Sequence, residues 1–479
     1  MGNTKKLLQF LRPDPAVAAA KTPPSSSDSD DAYSPPTSPS TSTSAPTSPS
    51  PSPYAMSPWT QLPGLGGAFE SDQQQHSTKT TGLLGSLVKA DGHVYSLAAS
   101  GDLLYTGTDS RAVRVWRHRR DLGGFRSGSG LVKAIVVGPD GRIFTGHQDG
   151  KIRVWRLSSS PDDSVNHRRV GSLPRVRDVV ASSLLPSRYV STRRKRSALW
   201  LRHFDAVSCL SLDAAAGLLY SGSWDRTVKV WRVSDSRCLE SVHAHDDAVN
   251  AVAAAGFDAL LLTGSADGTV KVWRREVVGT KGRTKHGLER VLRQGDGAVT
   301  AVAVAAEARV VYVGSSDGAV AHWQFPRCGG GKKPPRNGGA MWGHGKMAVL
   351  CVAVAGRVVV SGAADRTVCV WRREEGAHHA RIAVLRGHAG PVKCVAIDEE
   401  EDGEEQRWVV YSGSLDGSVK VWRVSDNGGG SPGMMMTPAR TPNAHGLLIR
   451  KGRTPPSPLV ARSWTPYAAA PEPKTMDAV

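Results

Sequence analysis

Between about Thr81 and Arg423 the chain is built of short runs in which every second residue is apolar, such as AVSCLSL from Ala206, AVNAVAA from Ala248 and PVKCVAI from Pro391. A period of two gives each run one core face and one outer face, which predicts β-strands. Each run is followed by another that closes on Gly beside Ser or Thr. A turn-forming pair, usually Asp-Gly or Asp-Arg, then leads into a third alternating run that ends in Trp. Seven copies of this unit are present: TGTDSRAVRVW to Trp116, TGHQDGKIRVW to Trp155, SGSWDRTVKVW to Trp231, TGSADGTVKVW to Trp273, VGSSDGAVAHW to Trp323, SGAADRTVCVW to Trp371 and SGSLDGSVKVW to Trp422. Residues 176–185, bounded by Pro174 and Pro186, have helical spacing instead. Val176, Val179, Val180 and Leu184 would share one side of that helix and are expected to face the wall of the sheets.

The repeat Trp residues lie 39, 76, 42, 50, 48 and 51 residues apart, a period that belongs to radial β repeats. Four short strands per unit make one blade. Blades bury their faces only against each other, so a closed ring removes most exposed edges. The predicted class is all-β, a seven-bladed propeller over residues 81–423. After Trp422 the chain reads RVSDNGGGSPG and supplies no fourth strand, whereas GLLGSLVKADGHV ahead of the first blade resembles SRCLESVHAHDDAV, which ends one blade and opens the next. Residues 83–88 are therefore expected to form the outer strand of the seventh blade and latch the ring.

These repeats resemble the WD40 family, over about Thr81 to Arg423 and through seven aligned copies. The resemblance implies a buried hydrogen-bonded network in each blade, made by a His ahead of the first strand, a Ser or Thr, the turn Asp and the Trp. The full set carries over to His203, Ser221, Asp225 and Trp231, to His245, Thr263, Asp267 and Trp273, and to His388, Ser412, Asp416 and Trp422. His344, Ser361, Asp365 and Trp371 match with the His displaced by one residue. The first blade departs at Ala90 and Ser110, the second at Gly128, and the fifth at Gly295 and Val313. Those three blades are expected to be less rigid, because a partly filled polar network loses mutual support. The role implied for these His and Asp residues is structural, since copies spaced round a ring cannot converge on one site.

The long interval between Trp155 and Trp231 reads as an insertion over residues 157–196, ahead of the outer strand of the second blade. Leu199-Trp200-Leu201 would form that strand. The insertion is strongly basic, including Arg193, Arg194, Lys195 and Arg196. The segment GSLPRVRDVVASSLLPSRYVSTRRKRSALW resembles the corresponding part of the Jingubang-type WD40 proteins of plants, and this implies an intracellular regulatory or scaffold protein. The Arg-rich run reads as a solvated strand end, a site for acidic partners or a nuclear import signal. An acidic stretch, Asp398 to Asp402 with Glu404 and Glu405, is expected to emerge on the same face as the insertion and attract it.

The formal charge of +18 sits almost wholly in the repeat region. The ends are a different material. Residues 1–80 and 424–479 are rich in Ser, Pro and Thr and are expected to be disordered. They hold thirteen Ser-Pro or Thr-Pro steps, among them Ser34, Ser38, Ser48, Ser50, Ser52, Thr437, Thr441 and Thr454. Such steps suit a proline-directed kinase, although any Ser/Pro-rich linker generates them. Lys5-Lys6-Leu7-Leu8-Gln9-Phe10 resembles a kinase docking peptide. The six cysteines have no metal-ligand spacing, and no stretch approaches the roughly 20 apolar residues of a membrane span.

The narrow face of the ring is where WD40 proteins commonly hold partners, and the residue before each turn Asp would lie there. Trp224 stands out among Gln148, Ala266, Ser316, Ala364 and Leu415, and Phe204 follows His203. Exposed aromatic residues are typical interface anchors, so Phe204, Trp224 and Arg226 form the expected partner site. The expected function is a non-catalytic protein–protein interaction scaffold in intracellular plant signalling or regulation, with phosphorylated tails, in the cytoplasm or nucleus. No cofactor or metal is expected. One alternative is a substrate receptor of a cullin-type ubiquitin ligase, although such receptors usually show Trp-Asp-x-Arg. Here six of the seven repeat Trp residues are followed by Arg and Trp323 by Gln. Another alternative is association with nucleic acid through the basic insertion, which would be sequence-independent and salt-sensitive.

Overall fold

The computed structural model describes residues 81–425, apart from 89–91, 129, 160–164, 186–188, 192–196, 280–282, 328–332, 375–377 and 403–404. Seven antiparallel four-stranded sheets follow one another. Blades 1 to 6 occupy residues 94–126, 132–173, 207–243, 249–293, 299–342 and 349–386. The first strand of each blade adjoins the first strand of the next, so these strands surround the axis of a ring.

The seventh blade takes three strands from residues 392–425. Its fourth is Gly82–Val88, which pairs antiparallel with Ser418–Ser425 through Leu83 opposite Trp422 and Val88 opposite Ser418. Alternation in this strand sends Leu87 into a core shared by Val419 and Val421 of its own blade and by Val94, Leu104 and Trp116 of the first. Ring closure thus buries apolar surface as well as pairing an edge. The same logic runs round the molecule. Tyr105, Val113 and Phe125 of blade 1 pack on Val132, Ile143 and Trp155 of blade 2, and Tyr220 and Val230 of blade 3 pack on Val249, Leu261 and Trp273 of blade 4. Each core lies between two blades, so no blade is stable by itself.

The segment after Trp155 is organised differently from its expected arrangement. The outer strand of blade 2 is Val165–Leu173, which returns directly along Ile152–Ser159 with Trp155 opposite Arg169 and Ile152 opposite Leu173. Residues 157–159 and 165–173 therefore belong to the blade, and the insertion follows Leu173. Leu199 pairs instead with Tyr189 in a separate short hairpin. The basic letters of VNHRRVGSL conceal a strand in which Arg168 and Arg169 are exposed, His167 packs on Phe125 and Leu173 is buried. A short helix, α1 (Val176–Ser183), follows Pro174, and Arg175 pairs with Asp178 in its first turn at 2.9 Å. Its apolar side does not cover the sheets: Val176, Val180 and Leu184 are 74%, 55% and 77% exposed, and only Val179 is half-buried.

Register also decides which face each excursion occupies. Leu173 lies opposite Ile152, just beyond the turn at Asp149, so the insertion leaves from the face that carries the turn Asp residues. The acidic stretch continues Val392–Asp402 and Glu405–Ser414 as a paired hairpin that extends past Arg407 opposite Ser425, at the other face. The described parts of the two segments leave from opposite faces, contrary to the expectation that they share one. Among the described residues no helix is long and apolar enough to cross a membrane.

Candidate interaction face and its supporting networks

The turn Asp and the His before each first strand meet at one face of the ring. In blade 3 the Trp231 indole N–H donates to Ser221 Oγ at 2.9 Å, and that hydroxyl lies 2.8 Å from His203 Nε2. His203 Nδ1 is 3.0 Å from Asp225 Oδ2. An indole can only donate, so the hydroxyl oxygen accepts from it and gives its own proton to Nε2. The imidazole then carries its proton on Nδ1 and donates it to the carboxylate. Asp225 also accepts the Phe204 backbone N–H at 3.0 Å and the Thr227 hydroxyl at 2.6 Å. Burial works against the Asp225 charge, yet His203, Thr227 and Phe204 outweigh it and hold the carboxyl well below the usual range.

The same arrangement recurs in three other blades. His245 lies 3.1 Å from Asp267 and 2.7 Å from Thr263, and Trp273 donates to Thr263 at 2.9 Å. His388 lies 3.0 Å from Asp416 and 2.8 Å from Ser412, with Trp422 at 2.8 Å. His344 reaches Asp365 at 3.0 Å and Ser361 at 2.9 Å despite its shift in sequence, and Trp371 donates to Ser361 at 3.2 Å. The connection after His344 contains Gly345, which adopts φ +60°. Both nitrogens of each ring are engaged and every ring is buried, which suits pins that fix the approach of the chain to each first strand.

Two of the three irregular blades fill the gap by other means. In blade 2 the Trp155 N–H donates to Thr145 Oγ1 at 2.9 Å, and His147, from the same strand as Thr145, lies 2.8 Å from that hydroxyl. His147 thus takes the place of the ring missing at Gly128. It is fully buried, and burial, followed by the charge of Arg153, pushes its pKa down to about 3. Asp149 turns to Arg153 instead, at 2.8 Å. In blade 5 the Arg293 guanidinium occupies the space left at Gly295. It donates to the carbonyls of Gly268 and Gly297 at 2.9 and 2.8 Å, to Ser315 Oγ at 3.1 Å and to Asp317 at 3.2 Å. The expected loss of polar support is therefore corrected for these two blades. Among the described residues, blade 1 keeps the bond from Trp116 to Thr106, at 3.2 Å, and a Thr108–Ser110 contact at 2.7 Å.

A feature absent from the sequence reading lies at the axis. In every blade the first strand slips register at its second residue, between Val94 and Ser96, Val132 and Ala134, Val207 and Cys209, Val249 and Ala251, Val299 and Ala301, Val349 and Cys351, and Val392 and Cys394. A bulge re-aims the side chain it carries. The seven bulge residues, Tyr95, Lys133, Ser208, Asn250, Thr300, Leu350 and Lys393, line one small cavity on the axis together with Trp224. Trp224 is half-buried. It leans from its turn onto the ring of Ala248, Ala266, Ala298 and Leu350, and Lys133 Nζ lies 4.4 Å from the centre of an indole ring. Phe204, next to His203, is 41% exposed. Arg226 is half-buried and holds φ +74°, a left-handed turn conformation that glycine occupies at Gly150, Gly268, Gly318 and Gly417. Arg193, Arg194, Lys195 and Arg196 lie outside the described residues, as do all the Ser-Pro and Thr-Pro positions of the tails.

The family profile described as WD domain, G-beta repeat matches residues 84–117, 121–156, 196–232, 236–274, 339–372 and 380–423. The chain belongs to the WD40 repeat family. The matched spans pass over blade 5, the WD40 blade that lacks both the His and the hydroxyl. Among curated proteins, the WD40 region is similar to rice zinc finger CCCH domain-containing protein 17 (27% identical over 34% of this chain and 30% of the relative). It is also similar to the WD repeat-containing protein pop1 of Schizosaccharomyces pombe (26%; 36% and 24%). A third relative is the guanine nucleotide-binding protein subunit beta of Nicotiana plumbaginifolia (26%; 31% and 45%). The similarity thus spans less than half the length of each of these relatives. WD40 propellers generally act as protein-interaction scaffolds, and the fold is typically non-catalytic.

Proposed function

We propose that this WD40 chain is a non-catalytic scaffold that captures partner segments on the face bearing the turn Asp residues, through Phe204, Trp224 and Arg226. The observation that carries the reading is the contrast in how side chains on that face are used. The repeat His and Asp residues of blades 3, 4, 6 and 7 are bonded to one another, whereas Phe204 is exposed and Trp224, two residues from the Arg226 turn, lines the axial cavity. An exposed aromatic next to a half-buried one is a common interface anchor. Asp225 bonds both His203 and the Phe204 amide, so the network fixes the backbone that presents the anchor.

The setting we propose is intracellular plant signalling, in keeping with the likeness to plant G-protein β subunits and with the Jingubang-type segment around residues 171–200. Phosphorylation of the tails by a proline-directed kinase would regulate it. Proximity labelling in plant cells with the full chain and with a Phe204→Ala, Trp224→Ala double variant tests the scaffold reading. A small set of neighbours is expected to vanish with the variant. An unchanged set would move the partner surface elsewhere.

A further inference from the structure

The bulge ring divides into two unlike arcs. In blades 3 to 5 the bulge side chains stitch neighbouring blades: Ser208 Oγ donates to the Val249 carbonyl, Asn250 Nδ2 to the Val299 carbonyl and Thr300 Oγ1 to the Val349 carbonyl. In blades 7, 1 and 2 the same positions hold Lys393, Tyr95 and Lys133. Two ammonium groups therefore reach one cavity of about 40 Å³, room for a few waters or one compact anionic group. Lys133 Nζ lies 5.3 Å from the centre of the Tyr95 ring and 4.4 Å from that of Trp224, so aromatic faces hold the cation where it is. Two like charges in a confined space repel one another, and a negative group between them would relieve that repulsion.

We propose that the axial cavity is a binding site for an anionic group carried by a partner peptide, either a carboxylate or a phosphoryl group, with Lys133 and Lys393 as its cations and Trp224 and Tyr95 as its walls. The inference rests on the scaffold reading and adds the chemistry of the partner. Charge and burial agree with it. Burial, then the charge of Lys393, pushes Lys133 down to about 7, with Asp205 opposing. Lys393 is lowered by burial, against the Cys351 and Cys394 thiols. An anion between the two favours their charged forms, so binding takes up a proton at slightly alkaline pH.

The test uses the full chain and a Lys133→Met, Lys393→Met double variant, panned against random peptides that contain glutamate in one arm and phosphoserine in the other. The wild type is expected to enrich one of these residues at a fixed position. The double variant should lose that preference and bind selected peptides roughly 10- to 100-fold more weakly. The favoured arm identifies the source of the anion. The double variant is expected to melt no lower than wild type, because it removes two buried like charges. Peptides enriched without an acidic position would overturn the cavity site and leave the scaffold reading standing. If no peptide is enriched, the scaffold reading is in question and inorganic phosphate decides the site. A rise in Tm with phosphate that is larger in wild type than in the double variant sustains it, and equal rises overturn it.

Discussion

In blade 4 the Thr263 hydroxyl sits between Trp273 and His245, a ring delivered by the connection from the preceding blade. In blade 2 the Thr145 hydroxyl sits between Trp155 and His147, a ring from its own strand. The bond lengths match, but the consequences differ. His245 ties the connecting chain to the sheet and engages Asp267 as well. His147 supports the sheet interior, and the turn carboxylate Asp149 bonds Arg153 instead of the ring. Blade 5 shows the reverse solution, in which Arg293 binds the carbonyls of Gly268 and Gly297 and so restores a tie but gives no support to Trp323. The repeated network therefore does two separable jobs, supporting the Trp and pinning the connection.

The largest expected effect comes from a strand outside the repeat networks. Deleting residues 82–88 leaves the outer edge of the third strand of blade 7 unpaired and removes Leu87 from the core that holds Trp116. The truncated protein is expected to aggregate, as size-exclusion chromatography would show. A soluble monomer would mean that the seventh blade holds with three strands.

Single substitutions then separate the two jobs. His245→Ala removes the partner of both Asp267 and Thr263 and is expected to cost about 3 kcal/mol. His147→Ala removes one partner of the Thr145 hydroxyl, which keeps its bond from Trp155, and is expected to cost about 1–2 kcal/mol. Urea unfolding midpoints at unchanged slope measure both. Equal costs would show that pinning the connection contributes little.

Acid distinguishes the blades in another way. His147 stays neutral when folded, whereas an unfolded His takes up a proton near about pH 6.5. Its folded pKa is depressed, so the stability it allows is complete above about pH 6.5 and declines as pH falls towards 3. The turn carboxylates Asp225, Asp267, Asp365 and Asp416 are also depressed, and their contribution is complete above about pH 4 and is lost below it. His147→Gln is expected to reduce the decline between about pH 6.5 and 4, to which the buried and likewise lowered His203 and His388 also contribute, and to leave the more acidic limb in place. Unfolding curves across that range would show whether blade 2 is the acid-sensitive part.

The smallest effect concerns the turns. Arg226 and Arg366 hold φ +74° and +69°, where glycine is unstrained. Arg226→Gly and Arg366→Gly are each expected to raise stability by roughly 0.5–1 kcal/mol. Only Arg226→Gly is expected to weaken partner capture. If both variants bind equally well, Arg226 leaves the proposed site.

Much of this was legible along the chain. Alternation, the Asp turns and the spaced Trp residues define seven blades, and the strand at residues 83–88 resembles the outer strands elsewhere. The substitute in blade 2 also left a readable trace, since TGHQD gains a His in the repeat that has Gly128 at the usual position. The basic insertion was placed wrongly because its charged letters hid Val165–Leu173. Charge on the outward side of an edge strand is compatible with pairing, and only the register shows that the pairing occurs.

The sequence by itself determined the repeat, the number of blades and the residues able to form four complete networks, because these depend on local periodicity and fixed spacing. The tertiary structure alone decided the rest. Arg293 reaches its role across the boundary between two blades, and the apolar side of the helix stays exposed. Lys133, Lys393 and Trp224 are 260 or fewer residues apart in sequence and share one cavity only because the ring closes. Contacts of that kind follow from which side chains the bulges aim at the axis, a property of strand register that no single repeat contains.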